Sequence, residues 1–432
     1  MLKDTVGFSS YCELAGIIGD AKIPRMATVK QLFPREQYTE DSLIHELYRQ
    51  LQGISKDELR GKRIALAVGS RGITNIQLIV KNTVSFLLSN GANPFIVPSM
   101  GSHGGATAAG QSKILEALGI TEDCIGCPVI SSMDTVQVGN TLEGSPVYVD
   151  KNAHQADGVI LICRVKPHTD FRGPYESGIM KMMTVGLGKQ KGADIFHGLD
   201  LVSLSKSLCE SGKVILSKLN VICAVALIEN ASHGTCHLEV VLNKDIEKRE
   251  PELLKIAKER MPQIYFPSCD VLIIEEIGKD ISGTGMDPNI TGRFSNPFVS
   301  GGIKARIAIV LDISEKSHGN AIGIGLSDIT TKRVLGKIDF VSMYVNCLTA
   351  GNMTECKIPA FMETDEDAVK LAVRLCKDKG QETIEIIRIR NTLELDYIDV
   401  SEGLLEIAKQ HPKVKIINNL SKMSFNEDGF LM

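Results

Sequence analysis

Between residues 63 and 118 the chain alternates short apolar runs with helix-length segments. RIALAVG at 63–69 is followed by a helical pattern over 76–89, then PFIVPSM at 94–100 and a second helix over 106–118, closed by Gly119. An uninterrupted apolar run reads as a strand buried on both faces, and parallel strands of that kind need long crossover connections, usually helical. The alternation therefore predicts an α/β fold with doubly wound, mostly parallel sheets. It continues through a strand at 158–165, a helix at 201–216, a strand at 221–228 and a polar helix over 246–260. Upstream, Leu43, Leu47 and Leu51 share one face of a helix expected over 38–52.

The segment MPQIYFPS at 261–268 breaks the pattern with two prolines, and a new apolar run begins at 270–275. We place a domain boundary there, giving two α/β domains, 1–265 and 266–432, with an active-site cleft expected between them. Strands are expected at 305–311, 383–389 and 414–417 in the second domain, with helices at 366–376 and 402–410. Internal repeats and low-complexity segments are lacking.

Composition narrows the function. A net charge of −4, no Trp and 5% aromatic residues argue against nucleic-acid or anionic-membrane binding. No apolar run approaches the roughly 18 residues that span a bilayer, and the first residues lack a signal-like apolar stretch, so a cytoplasmic location is expected. Eleven cysteines scattered along the chain fit reduced thiols. Cys124 and Cys127 form a lone CxxC without a second pair at zinc-binding spacing.

Candidate chemistry gathers at 165–197, VKPHTDFRGPYESGIMKMMTVGLGKQKGADIFH, directly after the apolar run at 158–165. Loops leaving the ends of parallel strands are where ligands and catalytic groups concentrate. His168 has Asp170 and Arg172 close by; an acidic neighbour can fix a histidine tautomer, while Arg164, Lys166 and Arg172 offer charge for an anionic substrate. His103 lies in a second glycine-rich loop, GSHGG at 101–105. Gly186, Gly188 and Lys189 belong to VGLGKQKG, which has the composition of a phosphate-cradling loop without matching the P-loop pattern. A tight turn beside a helix is the competing reading, as are a solvated loop histidine before a helix N-cap for His103 and an ion-paired surface loop for His168. His197 is as compatible with a structural role as with metal ligation. His233 and His237 have i, i+4 spacing, but Gly234 and strand context argue against a helical metal pair.

The order of a Gly-Ser-His loop, Pro167-His168, Lys181 and His197 resembles the nickel-dependent lactate racemase family, most strongly over 63–197 and more weakly over 270–293. The resemblance implies a nickel-pincer nucleotide cofactor, with His103 and His168 as paired acid/base groups. It implies Lys181 as the lysine joined to the cofactor, and His197, sixteen positions later, as a nickel ligand. It also implies a 2-hydroxy-acid racemase or epimerase that depends on cofactor-biosynthetic enzymes, and it is compatible with a homo-oligomer. This chain departs from the family at the substrate side. Ser70-Arg71-Gly72-Ile73-Thr74-Asn75 stands where an Asp-x-Thr-Arg motif is expected, so Asn75 replaces the carboxylate-binding arginine and Arg71 is the candidate substitute. The loop at 279–288 offers Thr284 and Pro288 where the family continues with a tyrosine and a substrate-side lysine, with Arg293 nearby, and Thr284 and Asp287 add hydrogen-bonding groups suited to hydroxyls. These changes favour a polar or sugar acid over lactate. The alternatives are a different nickel-pincer reaction, or a metal-free nucleotide- or anion-binding protein that uses the Gly186–Gly192 segment.

Overall fold

A computed structural model describes residues 11–19, 21–69, 72–198, 202–376 and 383–432. The chain forms two compact units, one comprising Pro34–Met261 and the other Met1–Phe33 with Pro262–Met432. Both are α/β with mostly parallel sheets.

In the unit Pro34–Met261, five strands lie in the spatial order Asn93–Pro98, Arg63–Val68, Gly158–Arg164, Val221–Glu229, Thr235–Leu242. The first four are parallel, and the last is an antiparallel edge strand. Alternate side chains of each strand feed two cores. Ala65, Ala67, Val159 and Leu161 pack on one face with Met180, Met183 and Leu208. Ile64, Leu66, Ile160 and Ile162 pack on the other with Leu43, Leu47, Leu51 and Ile79. The helices expected over 38–52 and 76–89 form as Glu40–Leu51 and Ile76–Ser89. Gly158 lets the sheet close on the next strand, since a Cβ there would fall 2.5 Å from Ile222 Cδ1.

This strand order creates a switch point. From Arg63–Val68 the chain steps to Asn93–Pro98 on one side, then returns to Gly158–Arg164 on the other. The connections leaving these strands diverge there, and it is at the carboxyl ends of strands at such a point that α/β folds bind ligands.

The other unit carries a larger sheet. Ala360–Met362, Ile329–Thr331, Lys304–Val310, Ser268–Ile274 and Ile386–Ile389 run parallel. Tyr397–Ser401, Met26–Gln31 and Val414–Ile416 extend it antiparallel. The sequence reading placed residues 1–265 in one domain, whereas Met26–Gln31 pairs with strands near the chain's other end. Gln31 helps fix it there: fully buried, it donates to Leu395 O at 2.8 Å and Gln263 O at 3.1 Å and accepts from Tyr265 N at 2.7 Å. No helix among the described residues is long and apolar enough to cross a membrane.

Candidate active site at the strand ends

His103 lies in the turn after Asn93–Pro98, its N–H donating to Met100 O at 3.1 Å. Gly104 has φ +68 and its Cβ would fall 2.6 Å from the Gly110 carbonyl carbon, so conformation and packing both require glycine there. The loop is held from beneath. Gln111, fully buried, donates to Gly101 O at 2.9 Å and His103 O at 3.3 Å. Its own carbonyl accepts from Lys189 Nζ at 3.2 Å, and that ammonium also reaches Pro98 O at 2.5 Å and Asp150 Oδ2 at 3.1 Å.

His168 emerges after Gly158–Arg164 and is 8% exposed. Its backbone N–H donates to Glu176 Oε2 at 2.8 Å. Its ring stacks on Phe171 with centroids 4.2 Å apart, and Phe171 meets Phe196 edge-on at 5.8 Å. Nδ1 accepts the Asp170 backbone N–H at 3.0 Å, a closer partner than the Asp170 carboxylate at 3.9 Å. Nε2 contacts Lys181 Nζ. Glu176, with a fully buried side chain, is neutralised by Lys258 at 2.6 Å and Arg172 at 3.5 Å.

Lys181, partly exposed, ends the short helix Ile179–Lys181, which runs into a π-helical turn over Met182–Gly186. Such turns recur at functional sites. Glu250 caps this run: its Oε2 accepts the Met180 N–H at 2.9 Å. A Cβ at Gly178 would fall 2.2 Å from Glu250 Oε1, so only glycine admits the carboxyl. Burial pushes the Glu250 carboxyl up to about 8, partly opposed by the backbone N–H groups of Met180 and Ile179.

His103, His168 and Lys181 thus all belong to connections leaving the carboxyl ends of the parallel strands of one sheet. Other expected site residues stand differently. Gly186, Gly188 and Lys189 were read as a phosphate-cradling loop, but the segment is helical, with Lys189–His197 an α-helix. A Cβ at Gly186 would fall 2.9 Å from Ser99 O, and one at Gly188 would fall 2.2 Å from Thr184 O, so these glycines serve close backbone packing. Lys189 is fully buried and its ammonium faces protein groups. Burial pushes its pKa down against the opposing pull of Asp150. This also removes the cradle that a metal-free anion-binding reading requires. His197 ends that helix, and its side chain lies outside the described residues, as does Arg71.

Asn75, at φ +65, heads the helix Ile76–Ser89 without capping it through its side chain. The neighbouring Thr74 is tied to Glu229 and to His233 O. Arg164 pairs with Glu229, and Arg172 donates to His168 O at 2.7 Å, so these two cations brace the loops they belong to. In the other unit, Thr284 turns inward to Met286 O at 2.9 Å, and Asp287 caps the turn Pro288–Thr291. Arg293 pairs with Asp328 at 2.8 Å and donates to Ala305 O and Arg306 O at the start of strand Lys304–Val310. That is the amino end of the strand, opposite the edge where α/β sheets bind ligands, so Arg293 is built into the scaffold.

Gln111, Glu176, Glu250 and Lys258 were not singled out from the sequence. For Glu250 a signal was present: it precedes Leu253 and Leu254 by three and four positions, on the apolar stripe of an otherwise polar helix.

Residues 68–240, which contain His103, His168 and Lys181, match the family model "Domain of unknown function (DUF362)". No curated protein matches the chain. Among solved structures, the chain is similar to the lactate racemase apoprotein from Thermoanaerobacterium thermosaccharolyticum, at 14% identity and a TM-score of 0.45 over 84% of each chain.

Proposed function

We propose that the protein is a racemase or epimerase of a 2-hydroxy acid that works with a nickel-pincer nucleotide. The observation that carries this reading is the contact of Lys181 Nζ with a His168 ring clamped by stacking and a backbone hydrogen bond, at a switch point to which His103 is also brought. The residues fit the group at its covalent end, since an amine presented beside an imidazole can form an amide-type bond. The buried Lys189 supplies no phosphate ligand.

Lys181 would hold the cofactor and His197 would ligate its nickel. When bound, the group supplies a ring that takes up and returns hydride at the carbinol carbon. The chain's own residues manage the proton. One imidazole takes the hydroxyl proton as the carbon loses its hydrogen, and the same group or its counterpart returns it. Two imidazoles serving opposite faces permit inversion. The clamped His168 ring supplies orientation, a large part of such acceleration. Beyond Lys279 the segment 279–288 holds neither the family's tyrosine nor its substrate-side lysine, which favours a polar, longer acid over lactate.

Coexpression with the cofactor-biosynthetic enzymes tests this reading. Wild type should carry nickel and a mass increment mapped to Lys181, and should interconvert the enantiomers of a hydroxy acid by chiral chromatography. Loaded protein whose increment survives Lys181→Arg refutes the attachment, and loaded protein inert toward a panel of hydroxy acids refutes the activity.

A further inference from the structure

The helix Phe340–Ala350 reads FVSMYVNCLTA, without a charged residue. Its ends are well defined. The Asp339 carboxylate accepts the Val341 N–H at 3.0 Å and the Ser342 N–H at 3.2 Å, and Gly351 closes the helix at φ +66. Met343 and Cys347, one turn apart, are fully buried and hold the helix to its own unit.

The remaining apolar side chains of the helix face outward. Phe340, Tyr344 and Leu348 form one i, i+4 ridge, with the first two rings 5.8 Å apart, and Val341 and Val345 form the ridge beside it. Val341 is 73% exposed and Leu348 68%. Met353 and Ile358, also exposed, follow in the chain. Seven of the seventeen large apolar side chains exposed among the described residues therefore fall between 340 and 358.

The chemistry of this face suits a second copy of the same chain. A two-fold contact brings residues close to their own equivalents, so a charge near its centre would repel itself, and this helix has none. Adjacent i±4 ridges leave a groove between them. In the commonest helix packing each partner sets such a ridge into the other's groove, which two identical helices do reciprocally. The five helix side chains expose on the order of 500 Å² per copy, near the top of what a monomer leaves uncovered. That is the greater part of the roughly 800 Å² each partner gives to a standard interface. A lipid surface matches less well, because helices lying in a bilayer interface carry Lys or Arg on their polar side.

We infer that the protein forms a two-fold dimer through the helix Phe340–Ala350, with Tyr344 and Val345 at the centre of the contact. Sedimentation equilibrium of the purified chain, from low to high micromolar concentration, tests this without cofactor or substrate, so the result is separable from racemase activity. Wild type should sediment at twice the chain mass. Val345→Glu and Leu348→Glu, with folding confirmed by circular dichroism, should each raise the dimer dissociation constant by about 30-fold or more, the scale of a lost interface hot spot. Val345→Cys should form an interchain disulfide on oxidation that wild type does not form. Wild type that stays monomeric throughout overturns the proposal, and so does a monomer that binds zwitterionic lipid vesicles through this face. A dimer that neither glutamate weakens and that Val345→Cys does not crosslink overturns it as well.

Discussion

Glu250 accepts the backbone N–H of Met180 at 2.9 Å, one residue before Lys181. A carboxyl on one helix thereby sets the start of the short helical run that carries the candidate attachment lysine. Burial raises this carboxyl from 4.5 to about 8, so the folded chain keeps a proton that the unfolded chain releases. The contribution to stability is therefore greatest below pH 4.5, declines as pH rises, and levels off above about 8. Glu250→Gln keeps an acceptor and cannot ionise. It should be more stable than wild type at pH 8, with the gap closing toward pH 5, as urea unfolding across pH would record. Glu250→Ala orphans the Met180 N–H and should cost about 1–3 kcal/mol at pH 5.

The buried Lys189 ammonium separates a scaffold role from ligand binding. Lys189→Met strands the Asp150 carboxylate and removes the bonds to Pro98 and Gln111. Breaking one side of a buried pair typically costs about 3–5 kcal/mol. Thermal unfolding should register that loss. Lys189→Met combined with Asp150→Asn, which removes the stranded charge and keeps an oxygen for the Asn152 and Ala153 N–H groups, should recover much of it, an outcome that a phosphate-binding lysine would not give.

Glu176 joins the His168 N–H to Lys258. Glu176→Ala should therefore displace the imidazole as well as destabilise the fold. Removing a charged acceptor from a buried donor costs about 2–3 kcal/mol. In loaded enzyme kcat should fall while nickel content stays near wild type, which turnover assays alongside metal analysis would show. A variant that loses metal but retains turnover per nickel would place Glu176 elsewhere in the mechanism.

Arg293 is held by Asp328 and two strand carbonyls. Arg293→Lys should leave KM for any hydroxy-acid substrate unchanged and lower stability by about 1 kcal/mol, measured by steady-state kinetics and chemical denaturation. A tenfold rise in KM would return this arginine to the substrate site.

The parallel core was legible because strands buried on both faces leave continuous apolar runs, as at Ile64–Val68 and Val159–Ile162. Met26–Gln31 left no such trace. It is a short strand of mixed composition, MATVKQ, largely buried although Lys30 and Gln31 break its apolar run, and its partners lie some 370 residues away at Tyr397–Ser401. His103 and His168 stand out in the sequence as polar residues following strand-like runs, and the structure places both after such strands, whereas Lys181 enters only through the family resemblance. The glycine-rich segment misled because glycine serves close helix packing as readily as anion binding, and composition does not distinguish them. Lys189 shows the same ambiguity: a charge in a sequence does not reveal that Asp150 and Pro98 await it inside. Thr284 and Asp287 read as substrate ligands until their own loop was seen to engage them.

In the proposed mechanism His103 and His168 handle the hydroxyl proton while the carbon-bound hydrogen leaves and returns without meeting water. A single enantiomer of a 2-hydroxy acid deuterated at the carbinol carbon, incubated with nickel-loaded protein in ordinary water, tests it directly. Chiral separation with mass analysis should show the opposite enantiomer forming with its deuterium retained, and His168→Gln and His103→Gln should each slow this by about 10²–10⁴-fold. Product that has exchanged its deuterium for solvent hydrogen, or inversion that proceeds undiminished in both variants, would contradict the account.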